Sequence, residues 1–289
     1  MSSPPPPGPE RPGSDWDPEP RPGAERSRRP GVPLAAPLSD PLVPPDIRGW
    51  FDRVIAVVRR SLVPLLIIQV CVAAISALLS YTLTPALAPG PDPGAFDPSG
   101  FDGMLAVLGL MIAIAVGVFA QGTSVYVAIQ DAAGRQVTSQ DALRFAAGRA
   151  PALVGWGLAA GMLTVFGFLM LIIPGLYLAI VFGAALAGVV TVERGTIVRC
   201  FELVNARFLP TVGRMVLAVA AGALYAVLAG YVVGALSSPG SFSEAVLQAV
   251  VEIPLGMAAV GVAVVTYAEL RFHEHGDVFT ATLAAELTR

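Results

Sequence analysis

The sequence predicts an all-α polytopic membrane protein: six transmembrane helices joined by short connectors, with short amphipathic helices on the cytoplasmic surface. Three observations predict it. Hydrophobic residues make up 55% of the chain and charged ones only 13%, against roughly 45–50% and about 25% in soluble domains. Six apolar stretches approach or exceed the ~20 residues that a helix needs to cross a bilayer core. The connectors between them alternate, one set carrying arginine and the other none. Positive loops are retained in the cytoplasm during insertion, so this alternation predicts a topology with both termini inside.

All 18 basic residues are arginine, and every one can be placed on the inner side. The absence of lysine and the abundance of alanine, glycine, valine and proline fit the coding bias of a GC-rich bacterial genome. The net charge of −3 averages opposed regions and identifies no partner. Nucleic acid is not an expected partner, because the arginines are spread along membrane-edge segments rather than gathered on one basic face. Of the two cysteines, Cys71 lies in the first span and Cys200 in an inner connector. They are expected as unpaired thiols.

Residues 1–45 hold 15 of the 26 prolines and almost no large apolar side chains. Such a segment cannot bury enough surface to offset its ordering entropy, and is expected as a disordered cytoplasmic tail. The start of the chain lacks the pattern of a cleaved signal peptide, so the first span is expected to act as an uncleaved anchor. The membrane domain is expected over residues 46–272. In its opening stretch Ile47, Trp50, Phe51, Val54 and Val58 fall at helical spacing opposite Arg48, Asp52 and Arg59. That pattern predicts a helix lying on the inner membrane surface.

The first span is expected at about 61–82. An outer loop over 83–102 follows, containing Asp92, Asp97 and Asp102 but no arginine. The second span, 103–129, leads to an inner connector with Arg135, Arg144 and Arg149. Within it Thr138 and Asp141 have the spacing of a capping box opening a short helix. Residues 151–192 form one apolar run interrupted by Pro174-Gly175. At ~1.5 Å per residue such a run reaches about 63 Å, enough for two crossings of a ~30 Å core. Two spans, 151–173 and 175–192, are expected, with Pro174 and Gly175 at the centre of a type II turn.

The next inner connector, 193–210, carries Arg194, Arg199 and Arg207 and an amphipathic stripe of Ile197, Phe201, Val204 and Phe208. The fifth span is expected at 211–233. The sixth, at 246–270, is preceded by an outer loop in which Ser241 and Glu244 can cap the helix. Residues 273–289 are expected as a cytoplasmic C-terminal tail. An amphipathic or capped segment, an arginine and a proline precede each odd-numbered span, which is compatible with a threefold repeat or with shared re-insertion chemistry.

The connector stretches 128–149, 174–208 and 266–276 stand in an order and spacing that resemble the membrane-domain family named after glycerophosphoryl diester phosphodiesterase. Pro174-Gly175 precedes a helix ending in Glu193-Arg194-Gly195, similar to that family's Glu-Gly motif with one extra residue. Tyr267, Glu269, Leu270 and Arg271 are similar to its closing pattern. The likeness covers roughly residues 46–280. It implies a six-span membrane domain and adds Glu193 to the candidate functional residues. It does not imply hydrolysis: the chain has two histidines and no room for the soluble phosphodiesterase barrel that some relatives carry.

No catalytic motif, cofactor or metal site is expected. His273-Glu274-His275 is the one histidine cluster, and two histidines at i, i+2 point to different sides of a helix. Glu252 is the carboxylate set in an apolar stretch, and intramembrane acids commonly mark ion or substrate pathways. The competing reading places it near the outer headgroups. Gln121, Thr123 and Ser124 put polar atoms in the second span, where they can bond to a neighbouring helix. Gly157/Gly161 and Gly230/Gly234 are GxxxG pairs suited to close helix approach.

The expected partners are the lipid bilayer, anionic headgroups at the cytoplasmic arginines, and a membrane-protein partner or second copy. The expected function is that of a non-enzymatic scaffold or envelope-assembly factor in the bacterial inner membrane. The alternative is a transporter or lipid-handling protein with a polar path near Glu252 and Gln121.

Overall fold

A computed structural model describes residues 40–87, 100–276 and 278–288. The tail expected over 1–45 lies outside the described residues up to position 39, as do Asp92 and Asp97 of the outer loop. The described residues are all-α, with no strand. In chain order the helices are α1 (Ile47–Arg60), α2 (Leu62–Leu87), α3 (Phe101–Ala132), α4 (Ser139–Met170), α5 (Ile172–Gly188), α6 (Ile197–Ala206), α7 (Phe208–Leu236), α8 (Phe242–His275) and α9 (Thr280–Leu287). A π-helical turn, Val189–Glu193, extends α5. Six of these elements are long and apolar enough to cross a membrane: α2, α3, α4, α5 with its π turn, α7 and α8.

The spans pair as three helical hairpins, α2/α3, α4/α5 and α7/α8. Helix α8 is the hub and touches α1, α2, α3, α5, α6 and α7. Its second half, from Val260 to Phe272, is almost continuously buried. The junctions that carry arginine (α1, α3–α4, α5–α7 and the end of α8) all fall at one end of the bundle, called here the arginine end.

Local chemistry explains where the helices begin. The Asp46 carboxylate accepts from Gly49 N at 2.6 Å and caps α1. Thr138 Oγ1 accepts from Asp141 N at 3.2 Å, and its hydroxyl donates to Asp141 Oδ2 at 2.6 Å. Ser241 Oγ accepts from Glu244 N, while Gly240 N donates to Glu244 Oε2. Each cap satisfies donors that the first helical turn leaves without partners.

Helix α1 does more than rest on a surface. Trp50, Val54 and Val57, at i, i+4 and i+7, are buried, and α1 packs mainly on α8. Trp50 Nε1 donates to Thr266 Oγ1 at 3.2 Å. Gly261 allows that approach, since a Cβ there would stand 3.0 Å from the Val54 carbonyl oxygen. Ser61 Oγ then donates to Asp131 Oδ2 at 2.7 Å, tying the α1–α2 junction to the end of α3.

Several expectations are corrected. Pro174 and Gly175 do not form the outer turn; the chain reverses at Leu171 (φ −162°, ψ 146°), and both residues lie in the first turn of α5. Proline is tolerated there because the first helical N–H groups have no intrahelical acceptor. Gly175 permits the tight crossing instead, since a Cβ would stand 2.7 Å from the Phe168 backbone nitrogen. The short helix expected before residue 151 is continuous with the third span, with Pro151 inside α4. The carbonyl that Pro151 deprives of a donor belongs to Ala147, an exposed residue at the arginine end.

Both tail boundaries move as well. Leu42 and Val43 are fully buried. Asp40 accepts from Leu42 N and Val43 N at 2.9 Å, and from Thr280 Oγ1 at 2.7 Å and Thr280 N at 3.1 Å. Within the stretch expected as a C-terminal tail, α8 runs to His275, and α9 buries Leu283, Ala284 and Leu287. Its buried positions, spaced at 280, 283, 284 and 287, form that face.

Candidate functional site

Glu193 sits at the centre of a charge network at the arginine end. Helix α5 ends at Gly188, where any Cβ would overlap the Tyr267 ring. The chain then widens into the π turn, a deviation frequent at functional sites, and closes with Gly195 N donating to Val189 O at 3.1 Å. Between them Arg194 takes the left-handed conformation (φ 54°), the one non-glycine residue with positive φ among those described.

Glu193 is thereby aimed at α6 and α8. Tyr267 Oη donates to its Oε1 at 2.9 Å, and Arg271 Nη1 lies 2.9 Å from the same oxygen. Arg199 Nε donates to its Oε2 at 2.8 Å. Arg199 also grips Glu274 through both terminal nitrogens, at 2.8 and 2.5 Å, and reaches Glu202 at 3.2 Å. Arg271 Nη2 donates to both Glu286 oxygens, at 3.0 and 3.2 Å. Arg214 pairs with the buried Glu269, against which His273 Nε2 lies at 3.8 Å.

The bidentate Glu274 pair holds the Arg199 guanidinium above its ordinary pKa despite partial burial. Burial, with Glu193 nearby, pushes the Cys200 thiol up to about 12, which makes it a poor nucleophile at neutral pH. The Glu193 carboxylate is thus occupied by three donors. What this arrangement does chemically is clamp the π turn, α6, α8 and α9 together.

Three residues on which the family resemblance rests, Glu193, Tyr267 and Arg271, converge in this network. The other candidates lie elsewhere. A cavity of about 930 Å³ opens between α1, α3, α5, α7 and α8. Its walls are largely small and apolar, among them Ala218, Gly222 and Ala258, and Gln121 contributes an amide. A second cavity, of about 350 Å³, holds Gln69, Gln248 and Glu252. The two share Tyr225, Ala226, Leu255 and Ala259. Glu252 accepts from Gln248 Nε2 at 2.8 Å and is exposed.

Tyr225 Oη donates to Val251 O at 2.7 Å, one residue from the carbonyl that Pro254 leaves without its helical donor. Gln121 and Glu252 therefore line adjoining spaces, while Glu193 and its partners line none of the cavities described.

A third cavity, of about 670 Å³, adjoins the first through Val190, a residue common to both linings. Arg144, Arg149 and Arg194 line it. Sequence reasoning missed this grouping. The three arginines were visible as topological markers, but nothing in their spacing indicates one shared space. Among the described residues, the cross-helix bonds open to Thr123 and Ser124 are also absent. Thr123 Oγ1 donates to Phe119 O of its own helix at 2.8 Å, and the buried Ser124 Oγ has no partner among the described residues.

Among the described residues no group of three or more His, Cys, Asp and Glu side chains is placed to hold a metal ion. No family model matches this chain, and no curated protein or solved structure compared with it does so either.

Proposed function

We propose that this protein is a lipid-handling protein of the bacterial inner membrane, with both termini in the cytoplasm, that holds an apolar chain within its helix bundle. The observation that carries this reading is the cavity of about 930 Å³ walled by α5, α7 and α8. Its size falls in the ~300–1,000 Å³ range of small-molecule sites. An apolar cavity stays dry and takes apolar guests, and inside a bilayer the abundant guests are acyl chains. The adjoining cavity with Gln69, Gln248 and Glu252 supports a polar end to the same space. No step of this reading needs a catalytic residue.

Reconstituted vesicles test it. Transbilayer movement of a fluorescent phospholipid is expected to be faster with the protein than without it, and slower again in Glu252→Gln. Equal rates with and without protein would reject movement between leaflets.

A second reading, the scaffold or assembly factor, is favoured by a separate observation. Gly230 and Gly234 on α7 meet nothing within 4 Å, leaving a GxxxG face open to a partner helix or a second copy. Gly230→Leu should then reduce self-association or partner capture in membranes, and an unchanged assembly state would reject that role.

A further inference from the structure

The acids at the arginine end are distributed unevenly. Arg199, Arg214 and Arg271 each face a glutamate, whereas Arg144, Arg149 and Arg194 form no ion pair with any described residue. Yet these three, from α4 and from the loop after the π turn, line one cavity of about 670 Å³ that no acidic side chain among the described residues lines. Arg149 is held against the Phe145 ring, its guanidinium carbon 4.3 Å from the centroid. Its Nη1 is buried and has no hydrogen-bond partner among the described residues. Arg194 is near enough to act on Arg149 as a like charge. It holds its position in the left-handed conformation that side chains other than glycine rarely adopt.

Cations gathered so, one with a buried donor left open, have no counter-charge among the described residues. Guanidinium forks match the oxygens of phosphate, two donors at a time. From this geometry we infer that Arg144, Arg149 and Arg194 form a binding site for a phosphate group.

Two sources can supply that group: the headgroup of an anionic phospholipid, or free phosphate from the aqueous phase. The placement favours the first. Trp156, of a residue type enriched at membrane interfaces, lines the same cavity. Val190 lines both this cavity and the apolar one, so a headgroup among the arginines would lie next to space for its chain. This lipid assignment rests on the reading above; the phosphate site itself does not.

The test uses the full-length protein in nanodiscs and in neutral detergent. Native mass spectrometry measures retention of phosphatidylglycerol against phosphatidylcholine, and calorimetry measures binding of inorganic phosphate. Phosphatidylglycerol is expected to be preferred. Arg149→Gln and Arg194→Asn, the latter chosen because asparagine tolerates positive φ, are each expected to lower that preference about tenfold. Arg149→Lys should recover only part, since a point charge lacks the fork. Arg144 is exposed, so Arg144→Gln should fold normally and still weaken binding, which keeps the test decisive if the other variants unfold.

Preference for phosphatidylglycerol that vanishes in the variants, without binding of inorganic phosphate, identifies a lipid headgroup. Inorganic phosphate bound by the wild type and lost in the variants, without lipid retention, supports the site and fails the apolar-chain reading. Lipid retained with no headgroup preference overturns the phosphate site and leaves the cavity reading intact. A preference that survives Arg144→Gln and the other substitutions in folded protein overturns the site as well, since surrounding lipid would explain it.

Discussion

Helices α5 and α7 have the same mean hydropathy, yet 61% of the apolar window of α5 is buried by protein and only 6% of that of α7. Hydropathy reports that both prefer lipid to water; it does not say which will be enclosed. The glycines do. On α5 a Cβ at Gly175 would collide with the Phe168 backbone, and one at Gly188 would collide with the Tyr267 ring. On α7, Gly213, Gly230 and Gly234 meet nothing within 4 Å. Small residues thus draw α5 into the bundle, while on α7 Ala218, Ala221 and Gly222 leave the space that forms the apolar cavity. Helix α7 is tied back at separate points, by Arg214 to Glu269 and by Tyr225 to Val251.

The largest effect should come from the clamp that anchors the end of α5. Glu193→Ala leaves Arg199 and Arg271, half-buried and buried, without a shared carboxylate. Leaving a buried charge wholly unpaired costs about 3–5 kcal/mol; here Arg199 keeps Glu274 and Arg271 keeps Glu286, so thermal unfolding in detergent should show a loss towards about 3 kcal/mol. A stability within error of the wild type would mean the network is spectator chemistry.

The glycine contrast comes next. Gly188→Val should destabilise by roughly 1–3 kcal/mol through overpacking, whereas Gly230→Val should stay within about 0.5 kcal/mol. Similar losses at both sites would erase the distinction between the helices. Smaller again is Tyr225→Phe, which removes one hydrogen bond from α7 and should cost about 0.5–1.5 kcal/mol.

The thiol of Cys200 gives a pH test of the same packing. Its pKa rises from an ordinary 9.0 to about 12 through burial, so the folded chain keeps the proton where the unfolded chain loses it. Its contribution to stability is complete below pH 9 and is lost as pH rises from 9 towards 12. Alkylation of Cys200 at pH 8 should therefore require unfolding. Rapid labelling of the folded protein would show that α6 does not seal it.

What could be read from the sequence follows a physical divide. The six spans, the cap at Thr138 with Asp141 and the cap at Ser241 with Glu244 depend on neighbours within a few residues, and all were legible. The Asp40–Thr280 bond joins positions 240 residues apart, so neither tail boundary could be placed from composition. Pro174-Gly175 carries a local turn signal that packing against Phe168 overrides. Glu193 was singled out only through a resemblance, and its three donors arrive from α6 and α8. The grouping of Arg144, Arg149 and Arg194 required the tertiary fold, because positive charge near a span is first of all a topological signal.

If the space beside α7 holds an apolar chain, filling that space should expel it. Lipid bound to gently purified wild type and Ala218→Phe should be counted by native mass spectrometry, with unfolding temperatures measured in parallel. A lipid should be retained by the wild type and displaced in Ala218→Phe without loss of folding. Equal lipid retention in the two folded proteins would mean that no chain occupies this space.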